Sequence, residues 1–453
     1  MSRRSPRLSF RDKVFFGALA FSLLVNVWAV DSLRTEVAAL RQAQRSGSVG
    51  QVPIGGDDLQ PLESTGADPA AGPTSPGATG VRAADVPAAT DRTGVSKGTI
   101  KIGAVITQSG LADQTPILRG LSAWIQHVNA AGGVNGRKIE LIVEDDGTDT
   151  SRGSAALRKL VENDKIFALV SECAPLTDAQ NVEYLRKKGV PVIGSCVLGG
   201  EQFFKNPYQF PLRLTMGSMG RLVGKYVAQD MAAVKPAVIQ LDHELLIEMG
   251  DGVVAQWKKM GVKDYTVETA PVVNPNFTPT VIRMRGEGVD NVSLLLDTAS
   301  TIRFLQAASQ QGWNPKLVGV VGYDEEVIRY GGAQVEGMMV PFYSQPVRGS
   351  YPIMKQFRED MQRYYPGEQR LELANNGYHP AWVFTDVLAK LGDNVTRRRL
   401  IDAMDGLTNY DDHVIPPYTL RPGNHETVRA CKWAVIKDAR AQVVSTDWYY
   451  LER

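Results

Sequence analysis

The sequence predicts an α/β protein of two doubly wound lobes, each a parallel sheet covered by helices. Two observations predict it. Short aliphatic runs alternate with amphipathic stretches from Thr99 to Gly194, and the same alternation starts afresh at Ala237 and runs to Val321. Strand and helix in turn mean parallel strands joined by crossover helices. At 453 residues, 43% of them hydrophobic, the chain is long enough to fill the cores of both lobes.

In the first series, TIKIGAVIT (Thr99 to Thr107) is a buried strand. Thr115 and Pro116 open a helix whose apolar face is Leu118, Leu121, Ile125 and Val128, and Gly132 stops it. Arg137 to Glu144 is the next strand, followed by helix Ser151 to Asn163, strand Ile166 to Val170, helix Asp178 to Lys188 and strand Val190 to Gly194. The second series opens with strand Ala237 to Leu241 and a helix ending near Met260. Strands Tyr265 to Ala270 and Val292 to Leu296, helix Ser300 to Gln311 and strand Leu317 to Val321 follow.

The amino-terminal part differs in texture. Residues 1–13 carry Arg3, Arg4, Arg7, Arg11 and Lys13, and residues 14–30 contain no charge, the pattern of a membrane-targeting segment. Val27-Trp28-Ala29 is only a loose match to a cleavage site, which favours an uncleaved transmembrane anchor over a removed signal. The positive-inside rule keeps 1–13 in the cytoplasm and places everything after Asp31 outside, giving a single-pass membrane protein, or a secreted one if the segment is cleaved. No cysteine lies near the segment, which excludes lipid attachment there. In residues 31–45, preceded by Val30, Leu33, Val37 and Leu40 recur at helical spacing, the pattern of a membrane-proximal stalk or of a weak coiled-coil dimer seam. Residues 46–97, rich in Gly, Pro, Ala, Ser, Thr and Asp and without aromatics, read as a disordered tether.

A net charge of +1 with interleaved signs gives no footprint for nucleic acid. No G-x-G-x-x-G follows the first strand, and neither a phosphate-binding loop nor a G-x-S-x-G elbow occurs. The five histidines show no paired spacing such as H-E-x-x-H, so no cofactor and no metal is expected; His243 alone falls near a strand end.

VNAAGGVNGRKIELIVEDDGTD (Val128 to Asp149) resembles the signature of the leucine/isoleucine/valine-type periplasmic solute-binding proteins, the substrate-binding components of ABC importers. The similarity continues through KLVENDKIFALVSE, KKGVPVIGS, PAVIQLD, GGAQVEGM and NNGYHPAWVFTDVLAKL, from Gly98 to the carboxyl terminus. The resemblance implies the type I periplasmic-binding-protein fold: a first lobe of residues 98–215 and 343–414, a second of 216–342 and 415–453, and three crossings near Thr215, Phe342 and Ile415. It also implies hinge closure around an unaltered solute and recognition of the closed form by a membrane permease.

Ligands of doubly wound sheets bind outside the carboxyl ends of the strands. In the first lobe this places Ser109, Glu172, Thr177, Ser195 and Cys196 at the cleft. The resemblance implies that hydroxyls and free N–H groups of such loops hold a ligand carboxylate, although the same Ser and Thr oxygens serve equally as helix caps. Pro175, Cys196 and Leu198 stand where amino-acid binders carry other residues, and Asp242 to Ile247 lacks their aromatic. In the second lobe Asp242, Asp297, Tyr323 and Asp324 end strands facing the cleft; the resemblance puts Asp324 near an acid that holds a ligand ammonium, and Asp297 reads equally as a cap. Cys173 and Cys196 follow neighbouring strands, so a disulfide between them is expected outside the membrane, with Cys431 left as a buried thiol.

The function expected is a solute-binding protein for a branched-chain amino acid, amide or related compound, partnered by an ABC permease. The alternative is a membrane-tethered sensing ectodomain acting through a partner, since fold alone does not separate the two. Nothing in the sequence pairs a nucleophile with a base, which disfavours an enzyme.

Overall fold

In the first lobe, β1 (Thr99–Val105), β2 (Lys138–Glu144), β3 (Ala168–Glu172), β4 (Val192–Ser195) and β5 (Gln209–Phe210) form a parallel sheet in the order β2-β1-β3-β4-β5. The computed structural model of the protein describes residues 90–452 apart from 111–112, 176–178 and 197–200. The basic segment, the anchor, the stalk and residues 46–89 of the tether lie outside the described residues; among the described residues no helix is long and apolar enough to cross a membrane.

Strand alternation sorts the side chains of the first sheet between two cores. Ile100, Ile102, Ala104, Ala168 and Val170 face one core, while Val105 and Leu169 face the other. The joining helices are α1 (Thr115–Ala130), α2 (Thr150–Arg158), α3 (Val182–Lys188) and α4 (Glu201–Lys205). Thr115 is the first helical residue of α1 rather than its cap, and Asp113 accepts its backbone N–H at 2.9 Å. The chain turns away after α1 at Gly132 and Gly133, with φ of +108° and +85°, and a Cβ on Gly133 would lie 2.1 Å from the Arg137 carbonyl oxygen.

The second lobe takes up α5 (Met216–Gln229), β6 (Pro236–Leu241), α6 (Glu244–Lys259), β7 (Thr266–Ala270), α7 (Thr278–Gly286), β8 (Asn291–Leu295), α8 (Thr298–Gln310), β9 (Lys316–Gly319), α9 (Glu325–Tyr330) and β10 (Met339–Phe342). Its parallel strands run β7-β6-β8-β9-β10. The chain then returns to the first lobe as α10 (Pro352–Tyr364), α11 (Leu371–Lys390) and α12 (Arg397–Asp405), whose Phe357, Tyr378, Phe384 and Leu400 enter the core of Ile100 and Ile102. It ends in the second lobe with β11 (Ala430–Lys437), β12 (Arg440–Val443) and β13 (Tyr449–Tyr450), which extend that sheet antiparallel beside β10.

Two boundaries differ from the sequence reading. Folded chain begins before Gly98: Asp91 accepts an ion pair from the buried Arg397 at 3.3 Å, and Lys101 N–H donates to the Gly94 carbonyl at 2.8 Å. Gly94 has φ +77°, and a Cβ there would meet the Phe167 nitrogen at 2.4 Å, so polar composition alone misplaced residues 90–97 in the tether. The third crossing lies beyond Ile415. Ile415, Tyr418 and Leu420 are buried in the first lobe's core, and the chain leaves that lobe where Thr427 N–H donates to the Arg213 carbonyl at 3.2 Å.

Candidate functional site

The three crossings converge on one pocket. Leu212 to Leu214, Phe342 to Ser344 and Thr427 to Val428 line it, together with Tyr323 from the second lobe and Glu372, Asn376 and His379 from α11, and its empty space including the open mouth is about 620 Å³. A wider groove adjoins it, sharing Tyr323, Phe342 and Glu372 and extending along α9 and the turn before α11.

Local structure aims these side chains. Leu212 has φ +56°, a left-handed backbone unusual for a branched residue, immediately before Arg213. Thr215 caps α5 through Ser218 N–H at 3.0 Å, and its own N–H and hydroxyl donate to Glu426 at 3.1 and 3.0 Å, tying the first crossing to the third. Arg429 in turn donates two bonds to Glu426, at 3.1 and 2.9 Å. His379 pairs with the buried Asp412 at 2.7 Å, and Asp412 caps the N–H groups of Val414 and Ile415, both at 2.9 Å.

The electrostatics of the pocket are unbalanced. Burial pushes the Arg213 guanidinium below its ordinary value, an effect the neighbouring Tyr323 and Tyr343 oppose, and no carboxylate of the described residues pairs with it. Burial raises the phenols of Tyr323 and Tyr343. It also raises the Glu372 carboxyl to about 8, partly offset by the Val347 N–H that it accepts at 3.0 Å. Glu325, in the adjoining groove, is raised by burial to about 7.

A buried acid raised in the folded state carries no penalty below its unfolded value near 4.5, and loses stability as pH climbs from there to its folded value. For Glu372 that window runs from about 4.5 to about 8. Glu372→Gln, which keeps an acceptor for Val347, is therefore expected to leave stability unchanged at pH 4.5 and to raise it by about 1–3 kcal/mol at pH 8. Melting temperature against pH for both proteins reads this; a pH-independent difference would contradict it.

Of the described site residues singled out from sequence, Tyr323 alone lines the pocket, its ring 5.7 Å from that of Phe342. Asp324, by contrast, spends its carboxylate within the protein: it caps α9 through Glu326 N–H at 3.0 Å and accepts Thr298 Oγ1 at 2.9 Å and Arg370 Nη2 at 3.0 Å. Arg370 precedes α11 in the first lobe, so this pair spans the two lobes. Asp297 is exposed and caps α8 through Ser300 N–H at 2.7 Å, and Asp242 is exposed beside His243, the cap of α6.

In the first lobe the Ser109 hydroxyl donates to Asp145 at 2.6 Å. Burial of Asp145 is outweighed by this bond and by the N–H groups of Gln108, Gly147 and Ser109, which hold its carboxyl down to about 2. Ser109 therefore shapes the loop after β1. Glu172 and Ser195 are buried and sit opposite each other across β3 and β4. Cys173 and Cys196 are joined by a disulfide, Cα to Cα 5.0 Å, which fastens the loops after these strands to each other; Cys431 is a buried free thiol. Thr177 lies outside the described residues. Among the described residues no cluster of His, Cys, Asp and Glu is arranged to hold a metal.

Arg213, Tyr343 and Glu372 were not singled out from sequence. The available signal for Arg213 was a lone cation in the apolar run PLRLTM at a crossing, where a charge has no packing reason to stand.

A sequence profile of the periplasmic binding proteins matches residues 99–441, nearly all of both lobes. The chain belongs to the periplasmic binding protein family. An amino acid binding protein of Pseudomonas aeruginosa is 27% identical to this periplasmic binding protein over 253 residues, 53% of this chain and 66% of the relative, so the chain spans just under two thirds of that protein's length. A Leu/Ile/Val-binding protein homologue of Brucella abortus is 24% identical over 273 residues, 57% of this chain and 71% of the relative. A fatty acid ABC transporter substrate-binding protein from Thermomonospora curvata has the same fold, with a TM-score of 0.70, 19% identity, and coverage of 80% of this chain and 95% of that one.

Proposed function

We propose that this protein is the extracytoplasmic binding component of an ABC importer, held to the membrane by residues 14–30, which captures a small solute between its lobes and passes it unaltered to a permease. The observation that carries this is the pocket where three crossings meet, walled by residues of both lobes. Rotation about those crossings changes every wall at once, so a bound solute stabilises the closed arrangement by its differential contacts with it. The Asp324–Arg370 pair gives the two lobes a polar contact beyond the solute itself. Relatives whose names specify amino acids and fatty acids support a small organic solute rather than a macromolecule.

The test is a thermal-shift screen of the purified protein against amino acids, amides, polyamines and organic acids. A solute at about 100 times its Kd adds about 2.7 kcal/mol of stability, several degrees in melting temperature. Recovery of that solute chemically unchanged after prolonged incubation is the expected result, and turnover or the absence of any stabilising compound would overturn the reading.

A further inference from the structure

Among the side chains lining the hinge pocket, Arg213 carries a charge that the protein leaves unanswered. It sits between Leu212 and Leu214 on the first crossing, with Phe342, Ile415 and Val428 as the remaining apolar wall. The guanidinium is half-buried at the wall of the pocket and has no hydrogen-bonded or charged partner among the described residues, which leaves its donors open to an anion entering that space. The hydroxyl of Tyr343, on the second crossing and lining the same pocket, is buried and has no hydrogen-bond partner. Asn376 adds an amide to the same wall. Two donors from two crossings therefore stand idle around one small space.

The candidate acids of the second lobe and the acid of the lining do not offer the converse site, and Glu172 lies outside the lining. Asp324 is committed to Arg370, Thr298 and the start of α9, while Asp242 and Asp297 are exposed and outside the pocket lining. Glu372, the acid in the lining, has its carboxyl raised by burial to about 8, which favours its neutral form below that pH.

We infer that the solute is an organic carboxylate, its charged end held by Arg213 and Tyr343 at the floor of the hinge and its body laid against Leu214, Phe342, Ile415 and Val428. This rests on the reading of the chain as a solute-binding protein and names the class of solute. A planar carboxylate matches the guanidinium fork, and a phenol hydroxyl completes its acceptor capacity. Because the Arg213 carbonyl accepts the Thr427 N–H at 3.2 Å, the anion sits where the first and third crossings are bonded to each other and faces the second. Its charge thus bears on all three strands of the hinge.

The experiment measures binding to the full chain by calorimetry, with isovalerate and benzoate against their neutral amides isovaleramide and benzamide, and with leucine and putrescine alongside. At least one acid is expected to bind about 10- to 100-fold tighter than its amide. Leucine against isovalerate separates two sources of the same carboxylate: preference for leucine identifies an amino acid with Glu372 near its ammonium, and preference for isovalerate or benzoate a simple acid. Arg213→Gln is expected to weaken the preferred acid about 10- to 100-fold while leaving the amide unchanged. Tyr343→Phe is expected to weaken it about 3- to 10-fold, and serves if Arg213→Gln does not fold. Lys258→Gln, an exposed charge on α6, is expected to change nothing. Tighter binding of an amide or of putrescine, or acid affinity indifferent to both substitutions, would overturn the inference while leaving a solute-binding protein. If none of the six compounds binds and the wider screen is also silent, the functional reading fails with it.

Discussion

Arg397→Met is expected to lower the unfolding free energy by about 3–5 kcal/mol, because it strips the partner from several buried acceptors at once. The Arg397 side chain is 5% exposed and stands at the start of α12. Its Nε donates to the Phe167 carbonyl at 2.9 Å, Nη2 to the Ile166 carbonyl at 2.6 Å, and Nη1 to Asp91 at 3.3 Å and the Lys188 carbonyl at 3.4 Å. One guanidinium thus joins the first described residues, the entry to β3, the end of α3 and the returning α12. Methionine fills similar volume and offers no donor, so the loss reports hydrogen bonding rather than a cavity. Asp91→Asn removes only the charge and is expected to cost about 1 kcal/mol or less. Urea unfolding followed by circular dichroism gives both values; a loss below 1 kcal/mol for Arg397→Met would show that these carbonyls find other partners.

Gly377→Ala is expected to be nearly as damaging, by about 3 kcal/mol, and to carry the binding pocket with it. A Cβ at Gly377 would lie 2.0 Å from the Ile117 carbonyl oxygen, and one at the facing Gly120 1.8 Å from that of Ala374. Backbone therefore meets backbone where α1 crosses α11, and no rotamer change relieves the clash. The Gly377 carbonyl also accepts the Ser171 hydroxyl at 2.8 Å, which ties α11 to β3. Since Glu372, Asn376 and His379 ride on this same helix, a displaced α11 shifts one wall of the pocket. The unfolding free energy and the solute affinity should fall together in this variant. Unaltered stability with altered affinity, or the reverse, would separate packing from site.

What was legible in the sequence followed periodicity. The alternating aliphatic runs from Thr99 and from Ala237 became β1 to β4 and β6 to β9: inner strands such as β3, β6 and β8 bury both faces, the edge strands β2 and β7 keep exposed positions, and the helices between them bury one face. The Cys173–Cys196 disulfide was legible too, since both residues end neighbouring strands. Position in the topology decided it.

Partnership was not legible. Asp324 stands at a strand end, where sequence gives it to a ligand, but Arg370, 46 positions away, takes its carboxylate. Arg213 carries no periodic signal, and the unmatched charge becomes visible only when the crossings are seen to leave it alone beside Tyr343. The same limit set the misplaced ends: residues 90–97 look like tether by composition until Arg397 is seen to hold Asp91, and Ile415 to Leu420 look like a return crossing until their side chains are found in the first core. Long-range contacts that satisfy single polar groups leave no trace in local pattern.

The most direct measurement is a crystal structure of the protein with the solute that stabilises it best. Density for one intact molecule between the crossings, its acidic end on the guanidinium of residue 213, is the result expected. A molecule seated on the outer face of either lobe, or one chemically altered in the cleft, would contradict the account.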